Sequence, residues 1–352
     1  MVNSARNGVV AASVVANLSP ASFGMVMATG IVSIAAHALG LPWVAHALFW
    51  LNAVAYVMLW VMTIVRAVRH TSALLADMTD HLRGPGFLTT VAATGVLGSQ
   101  CVLLGYPSGL AVLLWFMAVV LWITLTYAIL TALTIKEHKP TLDRGISGGW
   151  LLGVVATQSI AVLSALLAPR IGQPFRLELN FLALSMWLWG GMLYIWMISL
   201  IFYRYTFFSL APDDLTPPCW INMGAMAIST LAGSLLIVNA PDAPFLNSLL
   251  PFLKGFTVLY WATGTWWIPM LVLLGVWRYV YKRFPLRYNP LYWGAVFPLG
   301  MYTASTHELA SAMGFDFLVP LTQLFMAIAL VAWLAAFAGL LRWLMASLIR
   351  RA

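Results

Sequence analysis

Charge is scarce in this chain. Of its 352 residues 8% are Asp, Glu, Lys or Arg, against 62% that are hydrophobic, and the mean hydropathy is +0.91. A soluble domain carries about 25% charged residues, so a water-facing globule is excluded and the chain reads as an integral membrane protein. Cysteine is almost missing too. Cys101 and Cys219 are the only two, and the topology derived below sets them at opposite membrane faces, where they do not pair. No cluster of Cys, His and carboxylates has metal-ligand spacing, no glycine-rich loop suits a phosphate, and no nucleophile has an evident base. These gaps argue against an enzyme, a metal centre and a cofactor. The net charge is +8, but the basic residues are scattered over loops without a dense patch, which argues against nucleic acid as a partner. No substantial extramembrane domain appears, as a receptor or scaffold would need.

What is present is a succession of long apolar runs. A bilayer crossing takes about 20 mostly apolar residues as a helix, and these runs are too long for barrel strands. The expected fold is therefore an all-α membrane protein. Apolar runs between polar breaks give ten spans: 20–40, 44–66, 86–106, 109–134, 148–168, 180–204, 218–240, 252–281, 291–313 and 319–347. They form one domain over residues 18–348. Residues 1–17 read as a tail or interfacial segment, because the short apolar stretch Val9 to Val15 makes a weak signal peptide. Residues 349–352 form a second tail. The links after even-numbered spans hold Arg66, Arg69, Arg83, Lys136, Lys139, Arg144, Arg278, Lys282, Arg283 and Arg287; the opposite links hold only Arg170, Arg176 and Lys254. The positive-inside rule then puts both termini in the cytoplasm.

The odd spans open alike, with "SFGMVMATG", "GFLTTVAATG" and "GWLLGVVATQ", and more weakly "CWINMGAMAIS" and "YWGAVFPLG". Thr29, Thr94 and Thr157 fall 65 and 63 residues apart, the length of a helical hairpin. The chain thus reads as five copies of a two-helix unit. Glycine gathers in the odd spans, while spans two and four are rich in Leu, Trp, Val and Ala. Five odd helices inside five even ones would enclose an axis; the competing reading is a solid bundle that glycine merely tightens.

Several groups are candidates for handling an anion. Arg83, Arg144 and Arg287 stand shortly before spans three, five and nine, beside the positive ends of those helices, where they would ring a cytoplasmic vestibule; the plainer reading makes them topology anchors. Thr29, Thr94, Thr157, Ser229 and Thr303, with Gly30, Gly95 and Gly294 beside them, are candidate pore-lining positions whose hydroxyls would replace part of an anion's hydration shell. A hydroxyl in a membrane helix more often bonds its own i−4 carbonyl. His37, His307 and Glu308 near the outer ends of spans one and nine are candidates for proton movement. Met and Trp read as packing or interfacial belt. In "YWGAVFPLGMY", Pro298 frees the Gly294 carbonyl, which a bilayer tolerates only beside protein or a wet lumen. The kink there can push Phe297 into the axis.

The segments "SFGMVMATGIVS", "LRGPGFLTTVAATGVLGSQ" and "WGAVFPLGMYT", over residues 20–345, resemble the tellurite-resistance/dicarboxylate transporter family, which includes plant slow anion channels and fungal malate and sulfite transporters. The resemblance implies five inner helices around a pore, five outer ones, a homotrimer and a phenylalanine in the ninth helix that occludes the pore. Phe297 alone matches that phenylalanine. The expected function is an anion channel or channel-like transporter of the plasma (bacterial inner) membrane, with small anions and lipid as its partners. The alternative is a proton-linked carrier of C4-dicarboxylates or sulfite, or a tellurite-resistance transporter.

Overall fold

The computed structural model describes residues 15–349; most of the expected amino-terminal tail and residues 350–352 lie outside that range. The described residues contain ten helices of at least 15 residues and no strand: α1 (Gly24–Ala38), α2 (Pro42–Arg69), α3 (Thr89–Leu103), α4 (Ser108–Ile135), α5 (Leu152–Leu167), α6 (Phe175–Phe207), α7 (Ile221–Asn239), α8 (Leu250–Val276), α9 (Trp293–Met313) and α10 (Val319–Ile349).

Local chemistry sets where these helices start and turn. Each odd helix is entered through a short 3-10 turn: Pro20–Phe23, Gly84–Leu88, Gly148–Leu151, Pro217–Trp220 and Pro290–Tyr292. Four of the five carry proline in the first positions, where its fixed φ suits the helix and its missing N–H would lack a partner anyway. Ser19, Ser147 and Asn289 cap three of the turns, each accepting a backbone N–H from two residues ahead. The tight links α1–α2 and α3–α4 turn at Gly40 and Gly105, with φ of +76° and +77°, a region closed to most L-residues, and a proline follows each two residues later.

Counted with their flanking turns, nine helices among the described residues are long and apolar enough to cross a membrane. The exception is α9, whose 21 residues include His307, Glu308 and several Ser and Thr. Burial then sorts the helices into two layers. In the apolar stretches of α1, α3, α5 and α7, 72–94% of residues are buried; in α2, α4, α6, α8 and α10 the share is 22–39%. Fourteen residues of α9 are buried, which puts it with the first group despite its lower hydropathy. The inner helices pack in a closed ring in the order α1, α3, α5, α7, α9 and back to α1. Each outer helix packs on the inner helix before it and leans on the inner helix after it, and α10 completes the circuit against α1.

Two sets of polar bonds tie the layers together. From the middle of each outer helix an aromatic side chain reaches the next inner helix. Tyr56 of α2 shares a 2.8 Å hydrogen bond with Thr94, Trp122 of α4 donates to the Thr157 hydroxyl at 2.8 Å, and Trp187 of α6 donates to the Ser229 carbonyl at 2.8 Å. Trp261 of α8 donates to Thr306 at 3.0 Å, and Trp333 of α10 closes the ring by donating to Thr29 at 3.1 Å. Trp and Tyr suit this place because one end is apolar and the other must find a partner when buried.

At the end where the inner helices begin, a basic residue at or just past the end of α2, α4, α6 and α8 reaches back to a carbonyl of the segment before its own hairpin. Arg66 donates to Ala16 (3.2 Å), Lys136 to Thr79 (2.7 Å) and Arg204 to Asp143 (2.9 Å); Arg278 does the same to Leu215. Two of these cations also meet a carboxylate, Arg66 with Asp77 at 2.6 Å and Arg204 with Asp214 at 3.1 Å. Cys101 and Cys219 are both free thiols, buried in α3 and in the turn before α7.

Candidate permeation site

The centre of the ring is approached from α9. Phe297 is 1% exposed and directly precedes Pro298 inside that helix. Thr306 lies nine residues further on, about two and a half turns at 3.6 residues per turn, and so occupies the opposite face. That face accepts the bond from Trp261 of the outer helix α8, and Tyr302 of the same helix bonds Thr265, also on α8. Phe297 therefore points away from the outer layer, toward the ring's interior. Gly294, Met301 and Ala304 share its face at helical spacings of three, four and seven residues. Glu308, eleven residues on or about three turns, returns to the same face near the far end.

The expected lining hydroxyls sit elsewhere. Thr29, Thr94 and Thr157 are the acceptors or partners of Trp333, Tyr56 and Trp122, so these three hydroxyls turn to the outer layer. Thr94 and Thr157 also donate to the carbonyls of Thr90 and Gly153. Ser229 donates to Ala225 and Thr303 to Leu299, each the i−4 carbonyl. A β-carbon on Gly30 would fall 2.5 Å from Val96, and one on Gly95 2.8 Å from Ser159; these glycines serve the seams between neighbouring inner helices. Gly294 has Pro218 at 3.5 Å from the same construction, an ordinary contact.

The charged candidates divide between the two ends. Arg83 is exposed, with its Nε 2.7 Å from Asp77, the carboxylate that also holds Arg66. Arg144, in the short helix Leu142–Gly145, and Arg287, in the link before α9, are exposed. Close to them, His81 has its imidazole pKa lowered, first by burial and then by Lys136. At the far end His37 is exposed, and His307 and Glu308 are partly buried in the last two turns of α9. Among the described residues no three His, Cys, Asp or Glu side chains gather as a metal site.

A family model described as voltage-dependent anion channel, SLAC1, matches residues 17–341. The chain belongs to the voltage-dependent anion channel family. A membrane protein of Mycobacterium tuberculosis is 39% identical over 158 residues, which are 45% of this chain and 80% of that one. A protein of Methanocaldococcus jannaschii named as a transporter is 25% identical over 86% of this chain and 88% of its own. A sulfite efflux pump of Arthroderma benhamiae is 23% identical over 92% of this chain and 90% of its own. The relatives named for a function are thus transporters.

For this member of the voltage-dependent anion channel family, residue chemistry alone misses the five aromatic ties, because Trp and Tyr in a membrane helix also fit a belt or packing. It also misses the backward-reaching cations. One available signal for the ties was the fixed place of Thr29, Thr94 and Thr157, which called for a repeated partner as readily as for a repeated role in a lumen.

Proposed function

We propose that this protein carries small anions across the plasma membrane along the axis of its inner ring, and that Phe297 closes the path. The observation that supports this reading most is the placement of Phe297: buried, next to a proline inside a helix that continues past it, and opposite the face that α9 gives to the outer layer. An apolar ring in a narrow passage holds back an ion by excluding water, without a charged gate. The inward stripe of Gly294, Phe297, Met301 and Ala304 has no fixed charge and no hydroxyl, so an anion binds weakly and leaves quickly, as conduction requires. The positive ends of the five inner helices meet at the end carrying Arg83, Arg144 and Arg287, and we assign that end to the cytoplasm by the positive-inside rule. With α9 counted as a crossing the chain spans ten times, and by family resemblance it assembles as a homotrimer. Phe297→Ala should raise chloride flux in proteoliposomes severalfold with unchanged helical content. Wild-type flux in folded protein would remove Phe297 from the path.

A second reading is favoured by Glu308, which shares the face of Phe297. A carboxylate on that face repels anions when ionised and admits them when protonated, as in a proton-linked carrier; sulfite is the substrate suggested by the relative named as a sulfite pump. Flux should then rise as pH falls through the titration of the Glu308 carboxyl. Glu308→Gln should be fast and flat over that window; a pH profile identical to wild type would exclude Glu308 from coupling.

A further inference from the structure

We infer that Gly224 of α7 is a positioning residue for the gate: it forms a notch that seats Pro298 and so fixes where Phe297 points. The inference rests on the reading of Phe297 as the closing side chain. A β-carbon built on Gly224 would stand 2.7 Å from Pro298 Cγ, 2.9 Å from its Cβ and 3.2 Å from its Cα. Real β-carbons do not approach other atoms that closely, and here the neighbour is a ring fused to the backbone, which cannot swing aside as a long side chain would. The pyrrolidine ring and the α7 backbone therefore touch without any side chain between them.

The opposite flank of the same turn is also close-packed, though less tightly. A β-carbon on Gly300 would stand 3.0 Å from Cγ2 of both Ile31 and Val32 on α1, and 3.4 Å from the Val32 nitrogen. The turn from Phe297 to Gly300 is thus held between α7 and α1, with one absent side chain on each flank. Phe297 is the residue before Pro298, about 100° around the helix, and faces the interior between the two held sides. Packing against α1 limits sideways relief. A methyl group added at Gly224 therefore presses on the Pro298 ring and rotates or slides this turn, and the aromatic ring leaves its closing position.

Glycines of the outer helix α8 give the contrast. Gly255 and Gly275 on the outer helix α8 have nothing within 4 Å of a β-carbon, and they supply controls that add the same methyl without pressing on the gate. Against Gly24, the nearest atom on α9 is Trp293 Cβ at 3.8 Å, an ordinary contact.

The test measures chloride flux in proteoliposomes for Gly224→Ala, Phe297→Ala, the double variant and Gly275→Ala. Gly224→Ala should raise flux severalfold, and Gly275→Ala should leave it unchanged. In the Phe297→Ala background Gly224→Ala should add nothing, since there is no ring left to displace. A merely structural role for Gly224 would not produce that loss of effect. Wild-type flux in folded Gly224→Ala, or the same fold-increase with and without Phe297, overturns the inference. If Gly224→Ala does not fold, Pro298→Ala takes its place: it removes the ring carbon that fills the notch and should raise flux only when Phe297 is present. Unaltered flux in Phe297→Ala would defeat the gate reading itself, whereas raised flux there with an inert Gly224→Ala defeats only the notch.

Discussion

The inner ring and the outer layer solve opposite problems with the same few residue types. Inner helices are short, rich in glycine and hydroxyls, and buried; outer helices are long, apolar and mostly turned to lipid. Polar groups in the ring would be expected to serve the axis, yet Thr29, Thr94, Thr157 and Thr306 are all joined to aromatic side chains of the outer layer. The ring sends polarity outward and keeps an apolar stripe inward on α9. Membrane helices lack the hydrophobic drive that packs soluble cores, and directional bonds between layers supply register in its place.

The contrast can be broken most severely at the end where the inner helices begin. Asp77→Ala leaves Arg66, 3% exposed, without its carboxylate, and losing one partner of a buried pair costs about 3–5 kcal/mol. Thermal unfolding in detergent should report it as a large drop in midpoint. A smaller effect of the same sign is expected at the layer seam. On Gly233→Ala the new β-carbon would lie 2.3 Å from Thr257 Oγ1 and 3.0 Å from Trp187 Nε1, an overpacking of about 1–3 kcal/mol. The same change on the lipid-facing surface, Gly275→Ala, should raise stability by about 1 kcal/mol because alanine is the better helix former. Opposite signs in one unfolding assay sharpen the comparison; equal signs would erase it. Smallest is Trp122→Phe, which keeps the ring and loses the bond to Thr157; inter-helix hydrogen bonds in a membrane average about 0.6 kcal/mol. A loss well above that would make the ties more than alignment devices.

Much of this arrangement was legible in the residues. The contrast between glycine-bearing odd spans and Leu- and Trp-rich spans two and four anticipated which helices lie inside, because lipid rewards bulk and close helix approach rewards small residues. Helix limits agree with the expected ones to within five residues, the widest gaps being in α6, which begins at Phe175 against 180, and in α8, which ends at Val276 against 281. The direction of the hydroxyls was not legible. A 3.6-residue period says that Thr29, Thr94 and Thr157 share a face but not which way the face looks. The partner that decides it stands 304 residues from Thr29 in the case of Trp333. The basic links posed the same difficulty: topology accounts for Arg66 and Arg204 lying on one side, and only the fold reveals that each holds the segment before its own hairpin. Gly224 looked like any other glycine of an odd span until Pro298 was found against it.

The bond from Trp333 to Thr29 joins the last outer helix to the first inner one. A ribosome releases these helices in order, so each inner helix from α3 onward finds its donor already made, on the outer helix just before it. Thr29 alone must wait. Its donor is the last of the five to be synthesised, and until the final hairpin of α9 and α10 is inserted α1 stands in the bilayer with one flank uncovered. The ring thus remains a horseshoe until the last hairpin arrives, when α9 closes it against α1 and α10 locks the seam, so a fault in α10 is felt at α1.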